Sequence, residues 1–135
     1  MSKKYRLMIV EDDEDVRDLI EGALSGYGPL DLEIYSFDYA EKAFVSLSAR
    51  KYDLIITDFK LPGMDGFKFI QKCRELSGDE SIPVLFVSGY FKDLDAAKNA
   101  SKFDNVMFVS KPFEVDKLVS KVALFLLSKD EDSNG

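Results

Sequence analysis

The sequence predicts an α/β domain built on a parallel sheet, and three observations lead there. Short apolar runs at residues 6–10, 32–37, 54–57, 83–87 and 106–109 alternate with stretches of helical periodicity, the pattern of a βαβ series. Three of these runs are almost continuously apolar, as strands covered on both faces should be. The chain has 135 residues, 46% of them apolar, which suffices for one core and one domain.

The elements follow in order. Leu7-Met8-Ile9-Val10 ends the first strand and runs into four acids, Glu11-Asp12-Asp13-Glu14. Val16, Leu19, Ile20, Ala23 and Leu24 then form one helical stripe, which Gly26 and Gly28 end. The second strand, Leu32-Glu33-Ile34-Tyr35-Ser36-Phe37, alternates with period two and reads as a sheet edge. Asp38 and Glu41 fit a capping box ahead of a helix carrying Ala40, Ala43, Phe44 and Leu47. A third helix follows Pro62-Gly63 and carries Phe67, Ile70, Cys73 and Leu76, and a fourth is expected at 92–101, short and weakly packed. Pro112 opens the last helix, whose core face is Val115, Leu118, Val119, Val122, Phe125 and Leu126. The domain is expected over 1–128, with the polar residues 129–135 a disordered tail.

Composition excludes several functions. Without histidine there is no Ser-His-Asp catalysis, no His-ligated metal and no histidine phosphodonor in this chain. The single cysteine, Cys73, lies in the helical apolar pattern; it reads as a core residue and fits a reducing cytoplasm. A net charge of −7 argues against direct DNA binding, because phosphates would repel most of the surface. Neither a signal peptide nor a membrane-inserted segment is expected.

What remains for chemistry stands where the strands end. Ligands of open parallel sheets bind outside the strands' carboxyl ends. Glu11 and Asp12 follow the first strand, Asp58 the third, Ser88 the fourth and Lys111 the fifth. Three carboxylates crowded together repel, and one lysine cannot balance them. A hard divalent cation with oxygen ligands would, and Mg2+ usually takes only one or two carboxylates plus a carbonyl, waters and a phosphate. One carboxylate is then free to attack phosphorus, giving an aspartyl phosphate, while metal and lysine neutralise the transferring group. Asp13 and Glu14 read as ordinary acids at a helix start.

The segment Asp58-Phe59-Lys60-Leu61-Pro62-Gly63-Met64-Asp65-Gly66 resembles the phosphoacceptor segment of receiver domains of two-component response regulators. The acidic pair Glu11-Asp12, the Ser88-Gly89 step and Lys111-Pro112-Phe113 match in order and spacing, so the resemblance covers about residues 5–127. It implies a doubly wound (βα)5, flavodoxin-like fold with a five-stranded parallel sheet in order 2-1-3-4-5. It implies that Asp58 accepts a phosphoryl group from a phosphohistidine on a sensor histidine kinase or a histidine phosphotransfer protein. Asp12, Asp58 and the backbone carbonyl of Lys60 would hold Mg2+, or Mn2+ in its place, with Glu11 acting through water. Lys111 would pair with Asp58 and then with the phosphoryl group; Ser88 and Phe108 would be the switch residues. The Lys111-Pro112 peptide is expected to be cis.

Some positions depart from the commonest pattern. Glu11 stands where aspartate is more frequent, and Lys60 and Tyr90 occupy the variable flanking positions. A bulky Tyr90 would shield the phosphoryl group and slow its hydrolysis. Residues 99–105 lack the Gly-Ala step that often precedes the fifth strand.

The expected function is a stand-alone cytoplasmic receiver, a signalling module catalysing only its own phosphorylation and dephosphorylation. Its phosphorylation would switch binding to an unknown downstream protein. A phosphorelay intermediate and a degenerate, phosphorylation-independent binding module are the alternatives within the family. A phosphatase of the aspartate-nucleophile type usually needs a second acid two residues after the nucleophile, where Lys60 stands. A flavin-binding module needs a phosphate-cradling loop after the first strand, where this chain is acidic.

Overall fold

The computed structural model describes residues 3–89 and 104–134, with side chains to residue 128. Along the chain it forms β1 (Lys4–Val10), α1 (Glu14–Ser25), β2 (Asp31–Phe37), α2 (Ala40–Ala49), β3 (Leu54–Thr57), β4 (Lys60–Leu61), β5 (Met64–Asp65), α3 (Gly66–Ser77), β6 (Val84–Ser88), β7 (Val106–Ser110) and α4 (Val115–Asn134). β2, β1, β3, β6 and β7 pair in that order, all in parallel. This is the order expected from the sequence, with β2 at an edge. The register pairs Val10 with Phe37 and with Thr57, Thr57 with Phe86, and Ser88 with Ser110, so the strands end together at one edge of the sheet.

Period-two alternation splits the buried strands between two cores. Leu7, Ile9, Leu54, Ile56, Leu85 and Val87 face α1 and α4, against Ile20, Leu24, Leu118, Val122 and Leu126. Met8, Val10, Ile55, Val84 and Phe86 face α2 and α3, against Ala43, Leu47, Phe69, Ile70 and Cys73. Each such large apolar side chain contributes about 1.5–3 kcal/mol on burial, and these two layers hold the sheet rigid beneath its functional edge. Cys73 is fully buried, and burial pushes its thiol pKa up, which suits packing and not nucleophilic chemistry.

Two helix starts use the same device. The Asp13 carboxylate accepts from the Asp15 and Val16 amides, and that of Asp65 from the Phe67 and Lys68 amides, satisfying donors a helix leaves open. The capping box expected from Asp38 and Glu41 does not form. α2 begins one residue later, behind Tyr39, whose side chain makes no capping bond. Asp38 instead pairs with Lys42 at 3.1 Å.

β1 starts two residues before the expected run, and β4 and β5 form an unexpected antiparallel hairpin across Pro62-Gly63. Gly63 takes the positive φ of 74° there, a conformation glycine adopts without penalty. No glycine or proline interrupts residues 115–134, and the α4 backbone stays helical past Ser128, through the residues expected as a tail. The helix expected at 92–101, Tyr90, and residues 99–103 lie outside the described residues.

Gly66 is where α3 closes on the sheet. A Cβ there would stand 2.7 Å from Phe59 Cδ2 and from Phe86 Cε1, and 3.0 Å from the Phe59 carbonyl oxygen. Gly66→Ala is therefore expected to destabilise the fold by about 1–3 kcal/mol, the usual range for overpacking. Urea denaturation measures it; a loss under about 0.5 kcal/mol would show that the two rings give way freely.

Candidate phosphoryl-transfer site

Three candidate site residues each sit one position beyond a strand, and each is pinned by a neighbouring strand. The Glu11 amide donates to the Phe37 carbonyl at 3.0 Å, that of Asp58 to the Val10 carbonyl at 3.2 Å, and that of Lys111 to the Ser88 carbonyl at 3.1 Å. The sheet's hydrogen bonding thus runs on into the loops and sets where these side chains begin. The Lys111-Pro112 peptide is cis, as expected.

The side chains converge. Lys111 Nζ donates to Asp58 Oδ2 at 2.8 Å and lies 3.3 and 3.4 Å from the two carboxylate oxygens of Glu11. Asp58 Oδ1 accepts the Lys60 amide at 3.0 Å, a bond delivered by the β4–β5 hairpin. Glu11 is 1% exposed. Asp12 is exposed and Asp58 half-buried. Glu11, Asp12, Asp58, Lys60, Ser88 and Lys111 line one cleft of about 540 Å3, with Asp13 and Gly89. Phe108 is not among the residues lining it. Its ring stacks on Phe86 at 5.4 Å between centroids, and Phe86 meets Phe59, the residue after Asp58, at 5.3 Å.

The charges do not balance. Burial raises the Glu11 carboxyl to about 7; Lys111 pulls it down, and the Asp58 charge adds to the rise. Burial also works against the Lys111 ammonium, but its bond to Asp58 and the Glu11 charge outweigh that and hold its pKa above the ordinary value. Glu11, Asp12 and Asp58 offer carboxylate oxygens within 4.8 Å of one another. An all-oxygen, net-negative donor set that size fits a hard divalent cation, so these residues suit Mg2+.

Sequence reasoning missed Arg17, whose Nη1 donates to the Glu11 carbonyl at 2.8 Å. The available signal was that Arg17 is the only cation between Glu11 and Glu21.

Known proteins carry the same architecture. The DNA-binding transcriptional regulator NtrC of Salmonella typhimurium is 29% identical over 84% of this chain and 23% of its own length. The KDP operon regulator KdpE of Escherichia coli is 31% identical over 89% of this chain and 50% of its own. The chain thus spans a quarter to a half of the length of these relatives. The crystal structure of NtrX from Brucella abortus superposes with a TM-score of 0.83 at 25% identity, over 98% of this chain and 29% of that one. The profile of the response regulator receiver domain matches residues 7–123, and with the sheet order and the strand-end cluster already described, the chain belongs to that family, the receiver domains of two-component systems.

Proposed function

We propose that this domain takes a phosphoryl group onto Asp58 from a partner's phosphohistidine, in a Mg2+-dependent reaction, and that the modification switches a protein–protein interaction. The convergence of the Asp58 and Glu11 carboxylates on Lys111 Nζ, at the mouth of an open acidic cleft, carries this reading. Receiver domains take phosphoryl groups from histidine kinases or phosphotransfer proteins, and they use Mg2+ at an acidic pocket of this kind.

The chain's own residues have distinct tasks. An Asp58 oxygen attacks phosphorus; the P–N bond to the donor imidazole breaks, and the imidazole leaves with its electron pair and takes a proton. The Lys60 amide and Lys111 hold the carboxylate in place before attack. Lys111 then follows the charge onto the phosphoryl oxygens, where a fixed cation is worth most. The Ser88 hydroxyl would bond those oxygens. Asp12, Asp58 and the Lys60 carbonyl would hold the metal, with Glu11 acting through water. Bound there, Mg2+ supplies charge neutralisation for the transferring group. Phe108, reached from Asp58 through Phe59 and Phe86, would report the change at the β7 edge.

Incubation with Mg2+ and acetyl phosphate tests the proposal. Intact mass should show a single phosphoryl adduct, lost with EDTA and absent from Asp58→Asn. No adduct on the wild type, or an unchanged one on Asp58→Asn, rejects it.

A further inference from the structure

The loop carrying Glu11 and Asp12 is fixed at three points. Upstream, the Glu11 amide is held by the Phe37 carbonyl of β2. Downstream, Asp13 caps α1 through its carboxylate. Between them, the Glu11 carbonyl lies outside the α1 ladder, whose first bond runs from the Arg17 amide to Asp13 O at 2.9 Å. The guanidinium of Arg17 takes that carbonyl instead, at 2.8 Å. The Arg17 charge also reaches across to the β2–α2 loop. Asp38 is held below the ordinary carboxylate range chiefly by its bond from Lys42, and Arg17 adds to that effect.

We propose that Arg17 is a positioning residue for the divalent-cation site: by clamping the Glu11 carbonyl it fixes the peptide linking Glu11 to Asp12, from which both acids project. This rests on the Mg2+-binding reading above. Glu11 O is the acceptor end of the Glu11–Asp12 peptide, so its orientation sets the direction in which the Asp12 backbone leaves β1. An exposed carboxylate such as Asp12 has little packing to orient it, so its supporting backbone bonds matter more. Partners that orient ligands in this way typically affect metal affinity about 10–100-fold.

The sign of the effect separates positioning from electrostatics. A guanidinium beside a cation site repels the cation. If charge were all that Arg17 contributed, removing it would tighten binding, because two positive charges repel at any separation. Positioning predicts the opposite.

Mn2+ binding to the full chain, read from the loss of the free-ion paramagnetic resonance signal, decides between them, with Asp12→Ala as the reference. Arg17→Met is expected to raise the Kd about tenfold while leaving the thermal midpoint within a few degrees of wild type. Arg17→Lys, which keeps the charge but not the forked reach, is expected to fall between Arg17→Met and wild type. It also serves as the test if Arg17→Met does not fold. Binding by either variant as tight as wild type, or tighter, overturns the inference. Wild-type protein that binds no Mn2+ overturns the metal reading together with it, whereas a wild-type Kd that Asp12→Ala weakens but Arg17→Met does not overturns the inference alone.

Discussion

Lys111→Met is expected to slow phosphorylation of Asp58 by acetyl phosphate by about a hundred- to a thousandfold at saturating Mg2+, the usual cost of losing one preorganised donor to a developing anion. Lys111 Nζ lies 2.8 Å from the Asp58 oxygen and a half-ångström farther from Glu11. It is therefore aimed at Asp58, the proposed nucleophile, and not merely at the bulk of the acidic cleft. Methionine keeps an unbranched apolar stem and removes the charge and its donors. The rate of adduct formation, followed by intact mass, is the measurement. A rate within about threefold of wild type would mean that the metal alone neutralises the phosphoryl oxygens and that Lys111 is a structural counter-ion. The variant should also be less stable at neutral pH, because Glu11 is left buried beside Asp58 without its cation.

The strand-end residues could be read before any coordinates because parallel strands impose a shared polarity. Once the apolar runs ending at Val10, Thr57 and Val87 are strands of one sheet, Glu11, Asp58 and Ser88 must lie along the same edge. The hydrogen bonds from Glu11 to Phe37 and from Asp58 to Val10 are the detailed form of that constraint. Three features escaped for physical reasons. The β4–β5 hairpin has two residues per strand, too few to leave a period, yet it delivers the Lys60 amide to Asp58. The cap of α2 was misplaced because Asp38 has a competing partner in Lys42, four residues on, which sequence spacing weighs no differently from a cap. Phe86 is hidden inside a uniformly apolar strand, and nothing in its neighbours marks it as the ring that links Phe59 to Phe108. Side-chain orientation around a three-dimensional site carries no signature along the chain.

Glu11 gives the second large effect, on stability. Its carboxyl is raised from an ordinary 4.5 to about 7 by burial, so the folded chain holds this proton more tightly than the unfolded chain does. The resulting stabilisation is fully present below about pH 4.5 and is lost as pH rises through about 7. The difference corresponds to at most about 3 kcal/mol. Urea denaturation in EDTA at pH 5 and pH 8 should show wild-type protein losing about 2–3 kcal/mol more than Glu11→Gln over that interval. Lys111 does not confuse the comparison, because its own raised pKa places its contribution at pH values above this window. Equal losses in the two proteins would remove Glu11 as the titrating group. Mg2+ should reverse the wild-type loss, since a cation that needs ionised carboxylates competes with the proton and stabilises whatever state binds it. Lys111→Met probes the same pair from its other member. Lys111 pulls the Glu11 pKa down, so without it the loss should shift to higher pH and grow larger. In the double variant with Glu11→Gln, that pH dependence should disappear, as it must if the buried acid and its ammonium partner form one coupled unit.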